Sequence, residues 1–262
     1  MAGKFFRFVA AYFRVNMAAA LEYRASLVSQ VVGMLLNDVL WVVFWVLYFT
    51  RFPVLRGWTL EDVLVLWASV ALSVGLVGAF APNSLRLPRL VAQGQLDYYL
   101  ALPKDVLLHL LVSQIRLDAL GDVIFGPVLL VVMVKLTWIK VAVYLATALL
   151  AAIVLLGFFV LVGSLAFFVG NAEGISAQFG MAIVHFATYP TTIFDGGVKF
   201  VLFTLIPAGF VSTLPVELVR EFHWVGFGEL LGAAVLFLGL AVWVFRAGLR
   251  RYESGNLMLM RN

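Results

Sequence analysis

Read from its N-terminus, the chain does not alternate apolar and polar positions; it strings apolar ones into blocks. Six blocks, near residues 27–49, 60–82, 106–134, 139–169, 176–205 and 225–247, are long enough to cross a bilayer. A helical crossing takes ~20 apolar residues, whereas a membrane β-strand takes ~10 with every second residue polar. Unbroken blocks therefore predict helices, and the expected fold class is all-α: a polytopic membrane protein with six transmembrane helices. The third, fourth and fifth blocks exceed a single crossing, which predicts that they tilt, break or extend past the bilayer.

Residues 1–24 follow a different rhythm. At 100° per residue Lys4, Arg7 and Arg14 fall in one narrow arc, and Phe5, Phe6, Phe8, Val9, Tyr12 and Phe13 cover the opposite side. This predicts an amphipathic helix lying in the membrane interface. A secretory signal is not expected, because Arg14 interrupts any apolar core and the first block long enough to cross begins near Leu27. Residues 25–262 then form one transmembrane domain. Two of its connections are long. The loop 83–105 has an apolar side at Leu90, Val91, Leu96, Tyr99 and Leu100, with Gly94 and Pro103 as punctuation, and predicts a short helix or helix pair. The region 189–224 is apolar yet broken by Pro190, Gly196, Gly197, Pro207 and Pro215, which predicts short re-entrant helices rather than one long fifth span followed by an ordinary loop.

Composition sharpens the setting. Of 262 residues, 64% are hydrophobic and 12% charged, with a mean hydropathy of +1.06. An ordinary soluble domain has roughly a quarter of its residues charged, so a soluble enzyme and a disordered chain are both excluded. The net charge of +4 contains no basic run, which argues against nucleic acid as a partner. The absence of Cys excludes disulfides and thiolate metal sites. Basic residues orient the spans: with the N-terminus inside, twelve of the eighteen Lys and Arg lie on the cytoplasmic side, which places both termini in the cytoplasm of a cell (inner) membrane. The turn at 170–175 gives no support, since it carries Glu173 and no base.

Recognisable catalytic chemistry is missing. There is no GxxxxGK[ST], no HExxH and no GxSxG, and His109, His185 and His223 stand far apart. No catalytic residue, resident metal or bound cofactor is expected. Polar residues inside the blocks are the remaining candidates. Asp38, beside Asn37, sits near the middle of the first span, where an ionised carboxylate costs several kcal/mol unless paired or hydrated. It reads either as part of a substrate path or proton relay, or as a bond at a helix interface. An ion-driven transporter or an intramembrane enzyme built on Asp38 is the alternative function. Asp118 and Asp122 share a helix face and, with Arg116, predict a solvated cytoplasmic extension of the third helix. Glu229 is expected at the start of the sixth span, where a carboxylate suits the helix dipole. His185 is expected to be packed and hydrogen-bonded.

Taken together, these pieces resemble the permease subunits of ABC-2 type transporters. The resemblance rests on Gly94-Gln95-Leu96-Asp97-Tyr98-Tyr99-Leu100 followed by Pro103, on the Tyr189-Pro190 break and on the closing Arg251-Tyr252-Glu253-Ser254-Gly255. It implies an exporter half in which two permeases, identical or different, pair in the bilayer and each docks on a cytoplasmic ABC ATPase that holds ATP and Mg. It further implies that loop 83–105 is the coupling helix, with docking assigned to Leu90, Gly94, Leu96, Asp97 and Leu100. The family motif marks no substrate residues.

Overall fold

The computed structural model describes residues 2–134, 137–169 and 172–252, with side chains from Arg7 onward. Every named element among them is helical: α1 (Ala2–Glu22), α2 (Arg24–Arg51), α3 (Leu60–Phe80), α4 (Asn83–Ala92), α5 (Leu96–Leu100), α6 (Val106–Val112), α7 (Leu120–Leu129) continued by a π turn over Leu130–Val134, α8 (Trp138–Gly163) tightening to 3-10 geometry over Ser164–Phe167, α9 (Ala172–Ala187), α10 (Gly197–Thr204), α11 (Ala208–Val211), α12 (Thr213–Arg220) and α13 (Trp224–Leu249).

Four of these are long and apolar enough to cross a membrane: α2, α3, α8 with its 3-10 end, and α13. A fifth candidate is α10 joined to the α11–α12 segment, a pair bent by 67°. Two of the six predicted blocks are therefore not single long helices. The third divides into α6 and α7, with residues 113–119 non-helical between them. The side chains of Asn83 and Ser113 both donate to the Leu110 carbonyl at the end of α6, at 2.8 and 2.9 Å, and the Arg116 N–H donates to the Ala79 carbonyl of α3 at 3.0 Å. The break is thus made by polar partners from α3 and α4, which satisfy backbone groups that lipid could not. The fifth block stops at Ala187, where the Thr188 hydroxyl caps back onto the His185 carbonyl at 2.7 Å.

Lipid supplies no hydrophobic drive between helices, so close backbone approach and hydrogen bonds must hold them. The most enclosed span is α3, with 78% of its apolar window buried against 17% for α2. The Tyr144 hydroxyl of α8 donates to the Ala68 carbonyl of α3 at 2.9 Å, and Ser73 of α3 donates to the Ala148 carbonyl of α8 at 3.0 Å. On the other side of α8, Gly157 lets α13 approach so closely that a Cβ there would lie 2.7 Å from the Leu238 nitrogen. The order α3–α8–α13 follows from these contacts, with α7 packed on α3 and α2 laid outside it. Glu229 sits in the second turn of α13, which begins at Trp224; its N-cap is His223, whose Nδ1 accepts from the Gly226 N–H at 3.0 Å.

Candidate functional site

The loop after α3 folds as the helix pair α4–α5, joined by a tight turn at Gly94. The Gln95 N–H reaches back to the Leu90 carbonyl at 3.0 Å and the Gly94 N–H to Val91 at 3.2 Å, with Gly94 at φ +70°. This is a Schellman turn, which needs the left-handed conformation that glycine adopts without strain. The inner side of the pair, Leu87, Leu90, Val91, Leu96 and Tyr99, is buried with Leu107, Leu110, Val160, Phe245 and Ala241, so loop, α6, α8 and the end of α13 share one core. The outer side presents Arg86, Arg89, Gln93, Asp97, Tyr98 and Leu100. Of the five residues expected to dock, Leu96 is 0% exposed and Leu90 6%; they anchor the loop to its own chain. Leu100, at 47%, and Asp97 face outward, and Tyr98, at 62%, joins them.

A polar and aromatic knot ties this platform to α1. His109 on α6 is buried among Phe8, Tyr12, Tyr98 and Tyr99, all with ring centroids within 6.4 Å. The Tyr12 hydroxyl bonds His109 Nε2 at 2.5 Å, and Asn16 donates to the Ser113 carbonyl at 3.3 Å. Burial, and then the charge of Lys104, lowers the His109 pKa and keeps the ring neutral. Burial also raises the Tyr12 phenol, so it stays a hydroxyl. The apolar side of α1 therefore faces the protein at Phe8 and Tyr12, while Arg7 and Arg14 are exposed and Phe13 is half-buried. Lys4 and Phe5 lie outside the residues whose side chains are described. Beyond the end of α13, burial and the neighbouring Asp97 carboxylate push the Tyr252 phenol up to about 12; Glu253, Ser254 and Gly255 fall outside the described residues.

The second feature is a cleft between α2 and α7. Asp38 of α2 and Asp122 of α7 line the same cleft. Asp118 is paired with Arg116. Asp38 is 6% exposed, and exposures of 7% for both Asp118 and Asp122 overturn the expected solvated extension of the third helix. The helix break turns this segment inward, and Gly75 of α3 admits it: a Cβ at Gly75 would stand 2.8 Å from the Asp122 Cβ. Gln30, Asn37, Asp38, Arg116, Asp118 and Asp122 line a cavity of about 450 Å³. A second cavity of about 450 Å³ shares Met34, Arg116 and Asp122 with it and extends between α3, α8 and α9. His185, expected to be packed, is exposed on the wall of that second cavity. Asn37, Asp38 and the Asp118–Asp122 pair were each legible as candidates; that Asp38 and Asp122 share one cleft was not, because the chain alone does not reveal that α2 and α7 meet there.

Residues 35–255 match the family model described as ABC-2 family transporter protein. No curated protein and no solved structure matches the chain.

Proposed function

Because the chain belongs to the ABC-2 transporter family, we propose that this multi-pass membrane protein is the permease half of an ATP-driven exporter. A second permease, a copy or a relative, completes the path in the cell membrane, and a separate ABC ATPase holds the ATP and Mg. The family is a transport component of the membrane rather than a catalyst.

The observation that carries this reading is the α4–α5 platform. Its inner side is built into the core that joins α6, α8 and α13, so a force on its outer side reaches several helices together. A coupling helix needs that property, since coupling travels through rigid packed elements. Tyr98 and Leu100 supply apolar anchors within a rim of Arg86, Arg89 and Asp97, the composition of a contact that excludes water at its centre. The six crossings would be α2, α3, α7 with its π turn, α8, α9 and α13, the two short ones being accommodated by local thinning of the bilayer. Both termini would then be cytoplasmic, α1 would lie at the cytoplasmic interface, and α10–α12 would form a re-entrant cap on the outer side.

The test is reconstitution with the ATPase. The double substitution Tyr98→Ala, Leu100→Asp is expected to lower transport-coupled ATP hydrolysis at least tenfold while the permease still folds. Unchanged coupling would remove the docking assignment. An ion-driven transporter is the second reading, favoured by the burial of Asp38 beside Asp122. It requires transport that follows a proton gradient without ATP, and Asp38→Asn would abolish it.

A further inference from the structure

The cleft holds three carboxyl groups and one guanidinium. Arg116 lines the same cavity and is engaged with Asp118; among the described residues neither Asp38 nor Asp122 forms an ion pair, so the cleft keeps an excess of carboxyl groups over cations. Asp38 is 6% exposed, lines the cavity, and its Oδ2 has no hydrogen-bond partner. A buried carboxyl oxygen with no partner is costly, and the cost is met by a proton or by a positive group brought in from outside the chain. The second cavity continues from Asp122 and is largely apolar, walled by Met34, Val74, Phe159, Val162, Met181 and Val184, with Arg116 and His185 at its polar edge. Its size falls within the range of small-molecule sites. Among the described residues no three His, Asp or Glu side chains could together hold a metal ion, and the apolar chamber next to Asp122 suits a positive group that carries an organic body.

We infer that the cleft between α2 and α7 binds an amphipathic organic cation, whose charged group meets Asp38 and Asp122 and whose apolar body occupies the chamber between α3, α8 and α9. Each half of the site recognises one half of such a molecule. The carboxyl pair rejects anions, because a third negative charge beside two acids is repelled in a medium of low dielectric. The apolar chamber discriminates against small hydrated cations, which would leave water behind and gain no contact. The inference deepens the transport reading by naming the substrate class, and it rests on that reading only for the step of moving the cation. Binding itself needs no ATPase.

Tetraphenylphosphonium and tetraphenylborate serve as probes, since they match in size and shape and differ in the sign of charge. Equilibrium dialysis against the purified full chain in detergent is expected to show saturable binding of the cation and none of the anion. Asp38→Asn and Asp122→Asn should each weaken cation binding at least tenfold. In the unaltered protein a hydrophobic carbodiimide should label Asp38 or Asp122, and the cation should protect them, as read by peptide mass spectrometry; this arm holds even where a variant fails to fold. Equal binding of the anion, unchanged binding in well-folded Asn variants, or labelling that the cation does not slow would each overturn the inference. So would displacement of the probe by manganese alone, which would assign the site to a metal. Binding that survives while ATP-coupled transport fails would leave this inference standing and remove the exporter reading.

Discussion

Gly94 shows how a single residue in a loop can be understood before any partner is present. Its φ of +70° is the left-handed turn that closes α4 and aims α5 back onto the core. Gly94→Ala places a side chain in that conformation and is expected to cost about 1–2 kcal/mol, read as a fall in the thermal midpoint of the purified protein, while Gly174→Ala, in open space on helix α9, should leave the midpoint unchanged or raise it slightly. His109 makes a different prediction. Its pKa is lowered in the folded protein by burial and then by Lys104, so the state with α1 detached binds a proton more readily. The contact of α1 with α6 is then at full strength above the ordinary histidine range and weakens as pH falls through it. The exchange protection of α1 amides, corrected for the pH dependence of intrinsic exchange, is expected to fall between about pH 7.5 and about pH 5, and His109→Gln should remove that loss. Protection that stays constant with pH in the unaltered chain would count against the knot. Both residues were visible in the chain, Gly94 as punctuation and His109 as an isolated histidine; only the second needed the fold to acquire a role, because its partners come from α1 and α5.

At the scale of elements, the outer end of α3 is the clearest case of local and tertiary signals agreeing. Thr59 and Asp62 form a capping box, the Thr59 N–H reaching Asp62 Oδ2 at 2.7 Å. The free oxygen of Asp62 takes the guanidinium of Arg220 at the end of α12, and the same guanidinium lies 4.7 Å from the ring centre of buried Trp58. Arg220→Ala is expected to destabilise the protein by about 1–3 kcal/mol. Asp195→Ala, which removes an ion pair with Arg56 exposed at 51% and 81%, should stay within about 0.5 kcal/mol. Because the chain has no cysteine, paired cysteines at 62 and 220 can report the α3–α12 contact without background; failure to cross-link would refute it. The third block shows the opposite case. Its apolar run reads as one helix, and nothing between Ser113 and Ala119 is Pro or Gly. The helix ends there because Asn83, twenty-seven residues away, donates to the Leu110 carbonyl, and a sequence window cannot see such a partner.

The molecule as a whole presents two candidate faces, a platform on α4–α5 and a cleft between α2 and α7. Arg116 ties the cleft to the end of α3: its backbone N–H donates to the Ala79 carbonyl and its side chain holds Asp118. The topology itself is testable: single cysteines at 98 and 195 in intact cells should differ in labelling by an impermeant maleimide, with 195 reactive and 98 protected. The reverse pattern would invert the orientation and with it the docking assignment. Composition and block length were enough to determine a helical, multi-pass chain in lipid, since apolar surface of this extent has no other stable solvent and lipid admits no unpaired backbone. The Gly94 motif, taken with the Tyr189-Pro190 break and the span layout, pointed to the family that the match over residues 35–255 shows. What only the tertiary structure decided was which polar residues face each other. Asp38 and Asp122 are 84 positions apart, and their meeting depends on a helix break made by Asn83 and on the room left by Gly75. Those are distances between elements, and hydrophobic periodicity carries no information about them.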